Sequence, residues 1–288
     1  MQTVNSLDML RTAVAQLRAD GARIALVPTM GALHEGHLTL VRRAAAKADH
    51  VVASIFVNPK QFGAGEDLDA YPRQLAADAA MLDAEGVALL WAPTVEAMYP
   101  PGFATNVSVA GVSDGHCGAA RPGHFDGVAT VVCKLFNQVA PDMALFGEKD
   151  FQQLAVIRAM ARDLDLTRPH VGAIIGVPTV READGLAMSS RNRYLSPDQR
   201  TAAAALPRAM QAAIAKIESG DEVAGTLAAF QAEIVGAGFT SVDYAALADS
   251  RSLAPLAMLG PDPARLLVAA RIGGTRLIDN MAVGPARG

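Results

Sequence analysis

Short apolar runs that alternate with amphipathic stretches constrain the fold of this 288-residue chain more than any other feature. The first run, at 23–28, ends at a proline and is followed by a loop and by helical spacing over 38–48. Four further runs share this character: 51–57, 87–91, 143–146 and 171–177. Strands without polar alternation are buried on both faces, and right-handed crossovers between them give a doubly wound arrangement. The sequence therefore predicts an α/β protein with a doubly wound, Rossmann-like parallel sheet.

The pattern changes after Pro178, where a polar stretch leads into alanine-rich helical sequence. Helices are expected from Pro197 onward and over 221–237. The alternating sequence of 266–283, centred on Gly273-Gly274, is typical of a β-hairpin. We therefore predict two domains, residues 1–178 with the parallel sheet and residues 179–288 as a smaller C-terminal α+β domain.

Composition and charge exclude several classes of partner. The formal net charge is −4, which provides no positive field for nucleic acid or an anionic membrane. Residues 1–11 lack the features of a secretory signal, and no apolar run is long enough to span a bilayer. The two cysteines lack zinc-site spacing. They are expected to be reduced, with Cys133 buried and Cys117 in a loop, and a cytoplasmic protein is predicted.

The strongest local motif is Pro28-Thr29-Met30-Gly31-Ala32-Leu33-His34-Glu35-Gly36-His37, which lies where the first strand of the sheet meets its helix. Ligands of such sheets bind at the carboxyl ends of the strands, and helix N-termini favour phosphate. Gly36 permits close approach of the backbone, while His34 and His37 direct donors to the same place. The alternatives are loop histidines with ordinary hydrogen bonds, or half of a zinc site for which no third ligand is evident.

This His-x-Gly-His turn resembles that of the adenylate-forming and nucleotidyl-transferring superfamily, which includes the class I aminoacyl-tRNA synthetases. Further stretches are similar to the pantothenate synthetase family in particular and occur in that family's order: 56–62, 69–73, 146–153 and 188–192. The resemblance implies ATP-dependent condensation of pantoate with β-alanine through a pantoyl-adenylate intermediate, with release of AMP and pyrophosphate. It also implies a homodimer, and an N-terminal domain for ATP and pantoate with a C-terminal domain that covers the nucleotide.

The resemblance also assigns residues to these ligands. His37, His34, Lys149 and Arg191 are implied as catalytic, with His37 as the proton donor. Gln61 and Gln153 are implied for pantoate, and Gln61 also for β-alanine. The residues implied for ATP are Met30, Gly31, Ala32, Leu33, His34, Glu35, Gly36, His37, Gly147, Glu148, Lys149, Asp150, Val180, Met188, Ser189, Ser190 and Arg191.

The chemistry of adenylation supports these assignments independently of the resemblance. Attack of a carboxylate on the α-phosphorus of ATP brings two anions together, so cations and N–H donors must surround the triphosphate. Lys149 and Arg191 are suited to that task, although isolated surface cations are usually only solvated. Gln61 and Gln153 carry both donors and acceptors, which suits a hydroxylated carboxylate such as pantoate. Gln152 is expected to be an ordinary surface residue.

A triphosphate that undergoes displacement normally requires Mg²⁺. Asp78 matches a family carboxylate near that metal, and the alternative is an exposed aspartate on a helix. Asp150 is suited to a ribose hydroxyl or to a helix cap.

Two other functions remain open from the sequence. A nucleotidyltransferase that moves AMP onto a phosphate acceptor would share the first motif, but it gives no reason for Gln61 and Gln153. A non-catalytic nucleotide-binding module is the alternative from another class. The lids expected over a reactive anhydride are the loops 60–69 and 183–193.

Overall fold

The computed structural model describes residues 1–63 and 65–285, and the contacts divide the chain into two compact units. Unit 1 comprises Met1–Ala110, Arg121–Glu148 and Gln153–Pro178. Unit 2 comprises Gly111–Ala120, Lys149–Gln152 and the chain from Thr179 onward. Residue 64 of the first expected lid loop and residues 286–288 of the expected C-terminal domain lie outside the described residues.

Unit 1 contains a six-stranded sheet in which all pairings are parallel. Its strands are β1 (Gln2–Val4), β2 (Ile24–Thr29), β3 (His50–Ile55), β4 (Leu89–Trp91), β5 (Met143–Gly147) and β6 (Ile174–Val177). Their order, β1-β4-β3-β2-β5-β6, reverses direction between β2 and β5. The predicted doubly wound parallel sheet is confirmed, with β1 as an additional edge strand.

Helices follow the strands as the amphipathic pattern predicts. The α-helices are α1 (Leu7–Leu17), α2 (Glu35–Ala45), α3 (Leu75–Ala84), α4 (Val95–Met98), α5 (Cys117–Ala120), α6 (His124–Val139), α7 (Phe151–Asp163), α8 (Pro197–Ala203), α9 (Ala205–Glu218) and α10 (Val223–Gly236). Val41 of α2 packs in one buried cluster with Val27 of β2 and Leu145 of β5. Burial of this cluster fixes α2, and with it the His-x-Gly-His turn, on the central strands.

Unit 2 contains a three-stranded antiparallel sheet, β7 (Ser241–Asp249), β8 (Ala264–Ile272) and β9 (Thr275–Val283). The β8–β9 hairpin turns at Gly273, whose φ of 55° confirms the predicted turn position. Side chains on one face, including Leu266 and Val268, pack with α9 and α10 in a single core. The same unit includes the short segments Gly111–Ala120 and Lys149–Gln152.

Gln152 and Cys117, which lie in these segments, differ from what the sequence predicted for them. Gln152 is 5% exposed rather than a surface residue. Its side chain accepts from the Cys117 amide at 3.0 Å and donates to the carbonyls of Val112 and Gly115 at 3.0 and 2.8 Å. Cys117 begins the short helix α5 instead of lying in a loop. It is buried, and its Sγ lies 3.0 Å from the Tyr244 hydroxyl. Adjacent helical residues face different directions, so the first turn of α7 places Gln152 inward.

Cys133 also differs from its expected state, because it is only partly buried on α6. That partial burial raises the pKa of its thiol. Both cysteines are free, as expected.

None of the helices within residues 1–63 and 65–285 is long and apolar enough to cross a membrane.

Candidate active site

The His-x-Gly-His turn lies where the order of the parallel sheet reverses. It follows Thr29 at the carboxyl end of β2, and the neighbouring strand β5 ends at Gly147. The chain continues from β2 to strands on one side and from β5 to β6 on the other. Loops separate at such a reversal and leave a crevice, which is the usual ligand position in open α/β sheets.

A buried carboxylate holds the first half of the turn. Asp78 of α3 is 1% exposed and accepts from the amides of Ala32 at 2.8 Å and Leu33 at 2.9 Å. Its Oδ1 also accepts from Gln74 Nε2 at 3.0 Å. The alternative of an exposed helical aspartate is therefore wrong.

Backbone geometry explains why this carboxylate is needed. Gly31 and Ala32 have positive φ values of 81° and 51°. Glycine adopts this region readily, whereas the backbone of Ala32 is strained there because of its Cβ. A Cβ on Gly31 would lie 3.0 Å from Asp78 Oδ2, so the glycine also permits the close approach of the carboxylate. The amides of Ala32 and Leu33 thus anchor the turn by donating to Asp78.

The two histidines form the cap of α2. His34 is the N-cap, and its Nδ1 accepts from the Gly36 amide at 3.1 Å. His37 reciprocates, because its Nδ1 accepts from the His34 amide at 3.3 Å, and the ring centroids lie 4.1 Å apart. A neutral imidazole that accepts at Nδ1 carries its proton on Nε2. The cap therefore sets both rings in the tautomer that donates from Nε2.

Gln61 lies next to this turn and is 9% exposed. Its Nε2 approaches Met30 Sδ at 2.9 Å, and its Oε1 accepts from Asn58 Nδ2 at 3.1 Å. Asn58 is buried, and its Oδ1 accepts from the Tyr99 hydroxyl at 2.8 Å. Burial raises the pKa of the Tyr99 hydroxyl, which keeps it protonated as a donor. The orientation of Gln61 is thus fixed from two sides.

The backbone of Gln61 is held by Arg121 and by His124, the first residue of α6. Its carbonyl accepts from His124 Nδ1 at 2.8 Å and from Arg121 Nη2 at 3.3 Å. Arg121 also pairs with Glu66 at 2.5 Å, and hydrogen bonding from Arg121 lowers the pKa of Glu66 to about 2. Gly127 allows α6 to approach closely, since a Cβ there would lie 2.3 Å from the Lys60 carbonyl oxygen.

The motif around β5 divides between the two compact units. Gly147 and Glu148 belong to unit 1, as does Gln153, which is partly buried on α7. Lys149 and Asp150 belong to unit 2 and lie in a 3₁₀ turn between β5 and α7.

The later ATP-assigned residues also lie in unit 2. Val180 and Met188 face each other across a tight hairpin, in which the Met188 amide donates to the Val180 carbonyl at 3.0 Å. Ser189 follows as the cap of the 3₁₀ turn Ser190–Tyr194, where its hydroxyl accepts from the Arg191 amide at 3.3 Å. Ser190 is buried and Arg191 is partly exposed.

A sequence model of the pantoate–β-alanine ligase family matches residues 2–282. The chain belongs to that family. Membership confirms the resemblance found in the sequence motifs, and with it the prediction of a ligase that joins pantoate to β-alanine.

Individual family members agree over the whole length. Pantothenate synthetase of Novosphingobium aromaticivorans is 71% identical over 99% of this chain and 100% of its own. The crystal structure of the Thermus thermophilus pantothenate synthetase superposes with a TM-score of 0.90 at 49% identity, covering 99% of this chain and 100% of that one. Pantoate–β-alanine ligase from Francisella tularensis, solved with β,γ-ATP and β-alanine, gives a TM-score of 0.83 at 31% identity, covering 98% and 97%.

A metal ion bound only by side chains would require several of them to converge on one place. Among residues 1–63 and 65–285 there is no group of three or more His, Cys, Asp or Glu side chains placed to hold one. Both oxygens of Asp78 already accept hydrogen bonds from the turn or from Gln74.

Asn58 lies within the family-like stretch 56–62, but the sequence alone assigned it no role. An Asn-Pro pair at the end of a strand is a turn signal, and the Asn58 side chain does cap the 3₁₀ turn Pro59–Gln61 by accepting from the Lys60 amide. Its second role, as the donor that orients Gln61, depends on a contact that the sequence pattern does not display.

Proposed function

We propose that the chain condenses pantoate with β-alanine at the expense of ATP, and that the capped His34–His37 turn binds the phosphates. The observation that carries this proposal is the reciprocal cap, which sets two imidazoles as Nε2 donors at the start of α2, beside the reversal of the sheet. Anions are favoured at that position because the helix dipole adds to the local donors.

The reaction proceeds in two displacements. A pantoate carboxylate oxygen attacks the α-phosphorus of ATP, the bond from that phosphorus to the bridging oxygen breaks, and pyrophosphate leaves. The β-alanine nitrogen, as a free amine, then attacks the acyl carbon of pantoyl adenylate. A C–N bond forms, the acyl C–O bond breaks, AMP leaves with that electron pair, and the amine loses a proton.

The side chains of the turn supply electrostatic stabilisation rather than a nucleophile. His34 and His37 donate hydrogen bonds from Nε2 to phosphate oxygens as negative charge grows on the departing pyrophosphate. The proton-donor role implied for His37 is therefore assigned to the hydrogen bond that its neutral ring donates, and the ring keeps its Nε2 proton. Lys149 and Arg191 add full positive charges to the same phosphates. Glycine-bearing Gly147-Glu148-Lys149-Asp150, Val180 and 188–191 complete the set that we assign to ATP.

Gln61 and Gln153 bind pantoate. Gln61 is pre-oriented by Asn58 and by its own carbonyl contacts, so little side-chain entropy is lost when substrate binds. We assign the neighbouring β-alanine position to Gln61 as well, because an amide both donates and accepts.

Mg²⁺ enters this proposal as an ion carried by the phosphates of ATP. The supporting observation is that Asp78 is occupied with the turn amides and no cluster of three metal-binding side chains accompanies it within the described residues. We assign Asp78 to positioning of the turn and derive no step of the reaction from the metal.

We further propose a cytoplasmic homodimer. Two free cysteines are consistent with a reducing compartment, and the stoichiometry is tested by light scattering of the purified chain. A mass of one chain at micromolar concentration would contradict the dimer.

Product analysis tests the proposed reaction. Under multiple-turnover conditions, AMP and pyrophosphate are expected to accumulate only when pantoate and β-alanine are both present. A stable adenylylated product would support the nucleotidyltransferase, and nucleotide binding without turnover would support the non-catalytic module.

The role of the turn is tested with His37→Ala, which is expected to lower kcat about 10²- to 10³-fold, as loss of one transition-state donor does in other enzymes. The matched control is His170→Ala. His170 also accepts an amide at Nδ1, from Gly172 at 3.1 Å, but it caps a turn before β6 and away from the motif. Equal kcat in both variants would overturn the assignment of His37.

A further inference from the structure

Two adjacent polar residues are buried in the middle of β9. Asp279 is 2% exposed and Asn280 is 4% exposed. Burial of a carboxylate and an amide is unfavourable unless each has specific partners. Their partners therefore indicate what these two residues do.

Asn280 holds the segment that carries Lys149. Its Nδ2 donates to the Lys149 backbone carbonyl at 2.8 Å, and its Oδ1 accepts from Arg265 Nη1. The Arg265 guanidinium in turn lies 3.8 Å from the centre of the Phe151 ring. The amide and its neighbour thus contact the segment at two points, 149 and 151.

Asp279 holds the hairpin that carries Val180 and Met188. Its carboxylate pairs with both terminal nitrogens of Arg181, at 2.7 and 2.9 Å. Arg181 Nη1 also donates to the Gly185 carbonyl at 2.9 Å, across the tip of the same hairpin. A two-pronged pair with a guanidinium fixes both distance and orientation.

The two contacts lie on opposite faces of the sheet, because successive side chains of a strand point in opposite directions. Asp279 pairs in register with Val268, whose side chain belongs to the core with α9 and α10. Asn280 pairs with Leu267 on the face that contacts Lys149 and Phe151. One dipeptide therefore connects two ATP-assigned segments that are 31 residues apart between 149 and 180.

We propose that Asp279 and Asn280 are positioning residues for ATP, and that they fix the spacing between the Lys149 segment and the Val180–Met188 hairpin. The inference rests on the proposed phosphate role of Lys149 and the adenine role of Val180. Asn280 acts through the Lys149 backbone, and Asp279 acts through Arg181.

Asn280→Ala tests the first connection. Removal of the amide leaves the Lys149 carbonyl without this donor, and kcat/KM for ATP is expected to fall about 10- to 100-fold, as misplacement of a binding group by about 1 Å produces. The KM values for pantoate and β-alanine are expected to stay within about twofold. Thr275→Val is the matched control, since Thr275 is 7% exposed in the same strand and lies outside the ATP-assigned set.

A purely structural role predicts a different result, in which Asn280→Ala and Thr275→Val change the melting temperature alike and leave all three KM values alone. That outcome overturns the inference. If Asn280→Ala gives no folded protein, Asn280→Asp replaces it, because the isosteric carboxylate keeps the acceptor for Arg265 and loses the donor to Lys149.

A double-mutant cycle with Lys149→Met separates this inference from the proposed function. If Asn280 acts through Lys149, Asn280→Ala costs little further in the Lys149→Met background. If Lys149→Met is impaired and the effects of the two substitutions on kcat/KM for ATP are fully additive, the inference is overturned and the proposed role of Lys149 is not. Wild-type kinetics of Lys149→Met would overturn the proposed role of Lys149, and the inference with it.

Arg181→Lys tests the second connection, because lysine keeps the charge but cannot form the two-pronged pair with Asp279. The KM for ATP is expected to rise about 10-fold with the KM values for pantoate and β-alanine unchanged. An unchanged KM for ATP in a folded Arg181→Lys protein contradicts the role assigned to Asp279.

Discussion

Asp78 shows how one carboxylate can determine the shape of a ligand-binding turn. In the sequence, Asp78 matched a family carboxylate near the metal, with an exposed helical aspartate as the alternative. In the structure its carboxylate is buried and accepts from the amides of Ala32 and Leu33, in a turn where Gly31 and Ala32 have positive φ. No local sequence pattern predicts this contact, because Asp78 and Ala32 are 46 positions apart in the chain.

Asp78→Asn is expected to weaken that contact. The amide group retains one acceptor and must turn its NH₂ toward one of the two backbone donors, which leaves a buried amide unsatisfied. The free energy of unfolding should fall by about 1–3 kcal/mol, and kcat/KM for ATP should fall with it. Urea unfolding and ATP kinetics provide the two measurements.

Asp83→Asn on the same helix is the control for Asp78→Asn. Asp83 is 62% exposed and pairs with the N-terminal amine, so its loss should cost less than about 1 kcal/mol. Equal unfolding free energies for Asp78→Asn and the wild type would show that the turn does not depend on this carboxylate.

The pair Glu66–Arg121 makes the stability of the loop region depend on pH. Hydrogen bonding from Arg121 lowers the pKa of Glu66 from its ordinary 4.5 to about 2 in the folded chain. A lowered folded pKa stabilises the protein above the unfolded value, and that contribution is lost as pH falls from about 4.5 toward 2. Glu66→Gln should therefore lose less stability than the wild type between pH 5 and about 3.

Urea unfolding of the wild type and Glu66→Gln at both pH values checks this difference. Parallel loss of stability in the two proteins would mean that Glu66 titrates normally in the folded state.

At the scale of elements, periodicity predicted the central strands because each is short, apolar and followed by helical spacing. The two strands that it missed have physical reasons. β1 has only Gln2–Val4 and its first two residues are exposed, so no apolar run is visible. β7 has many partly exposed residues and a bulge between Val242 and Tyr244, which interrupts the alternation that signals a strand.

The helix expected from Pro197 is divided between α8 and α9 at Ala204. Pro207 lies in the first turn of α9, where its missing N–H is tolerated, and this favours a new helix start. The alanine-rich composition correctly predicted helical structure here, but apart from Pro207 the sequence has no signal for the division into two helices.

The packing of α6 against the Gln61 turn is the element contact that we expect to be least tolerant of change. In Gly127→Ala the added Cβ would meet the Lys60 carbonyl oxygen at 2.3 Å, so the helix or the turn must move. We expect a loss of about 1–3 kcal/mol in unfolding free energy and a raised KM for pantoate, because Gln61 follows Lys60 directly. Thermal unfolding and pantoate kinetics measure both effects.

Gly236→Ala is the matched control, because Gly236 ends α10 and its Cβ would meet nothing within 4 Å. That change should be neutral or stabilising by about 0.5–1 kcal/mol. Identical stability changes in the two variants would contradict close packing at Gly127.

At the scale of the whole molecule, the change of composition at Pro178 coincides with one crossing between the compact units. The segments Gly111–Ala120 and Lys149–Gln152 also belong to the second unit, and no composition change marks them. Their membership depends on buried contacts such as Gln152 with Cys117 and Asn280 with Lys149. The motif that contains Lys149 is therefore visible in the sequence, while its anchoring in β9 is not.

In the proposed reaction, pantoate is activated by adenylation before β-alanine reacts. This activation is tested most directly by exchange of labelled pyrophosphate into ATP with pantoate present and β-alanine absent. We expect rapid exchange that requires pantoate. Exchange without pantoate, or no exchange until β-alanine is added, would contradict it.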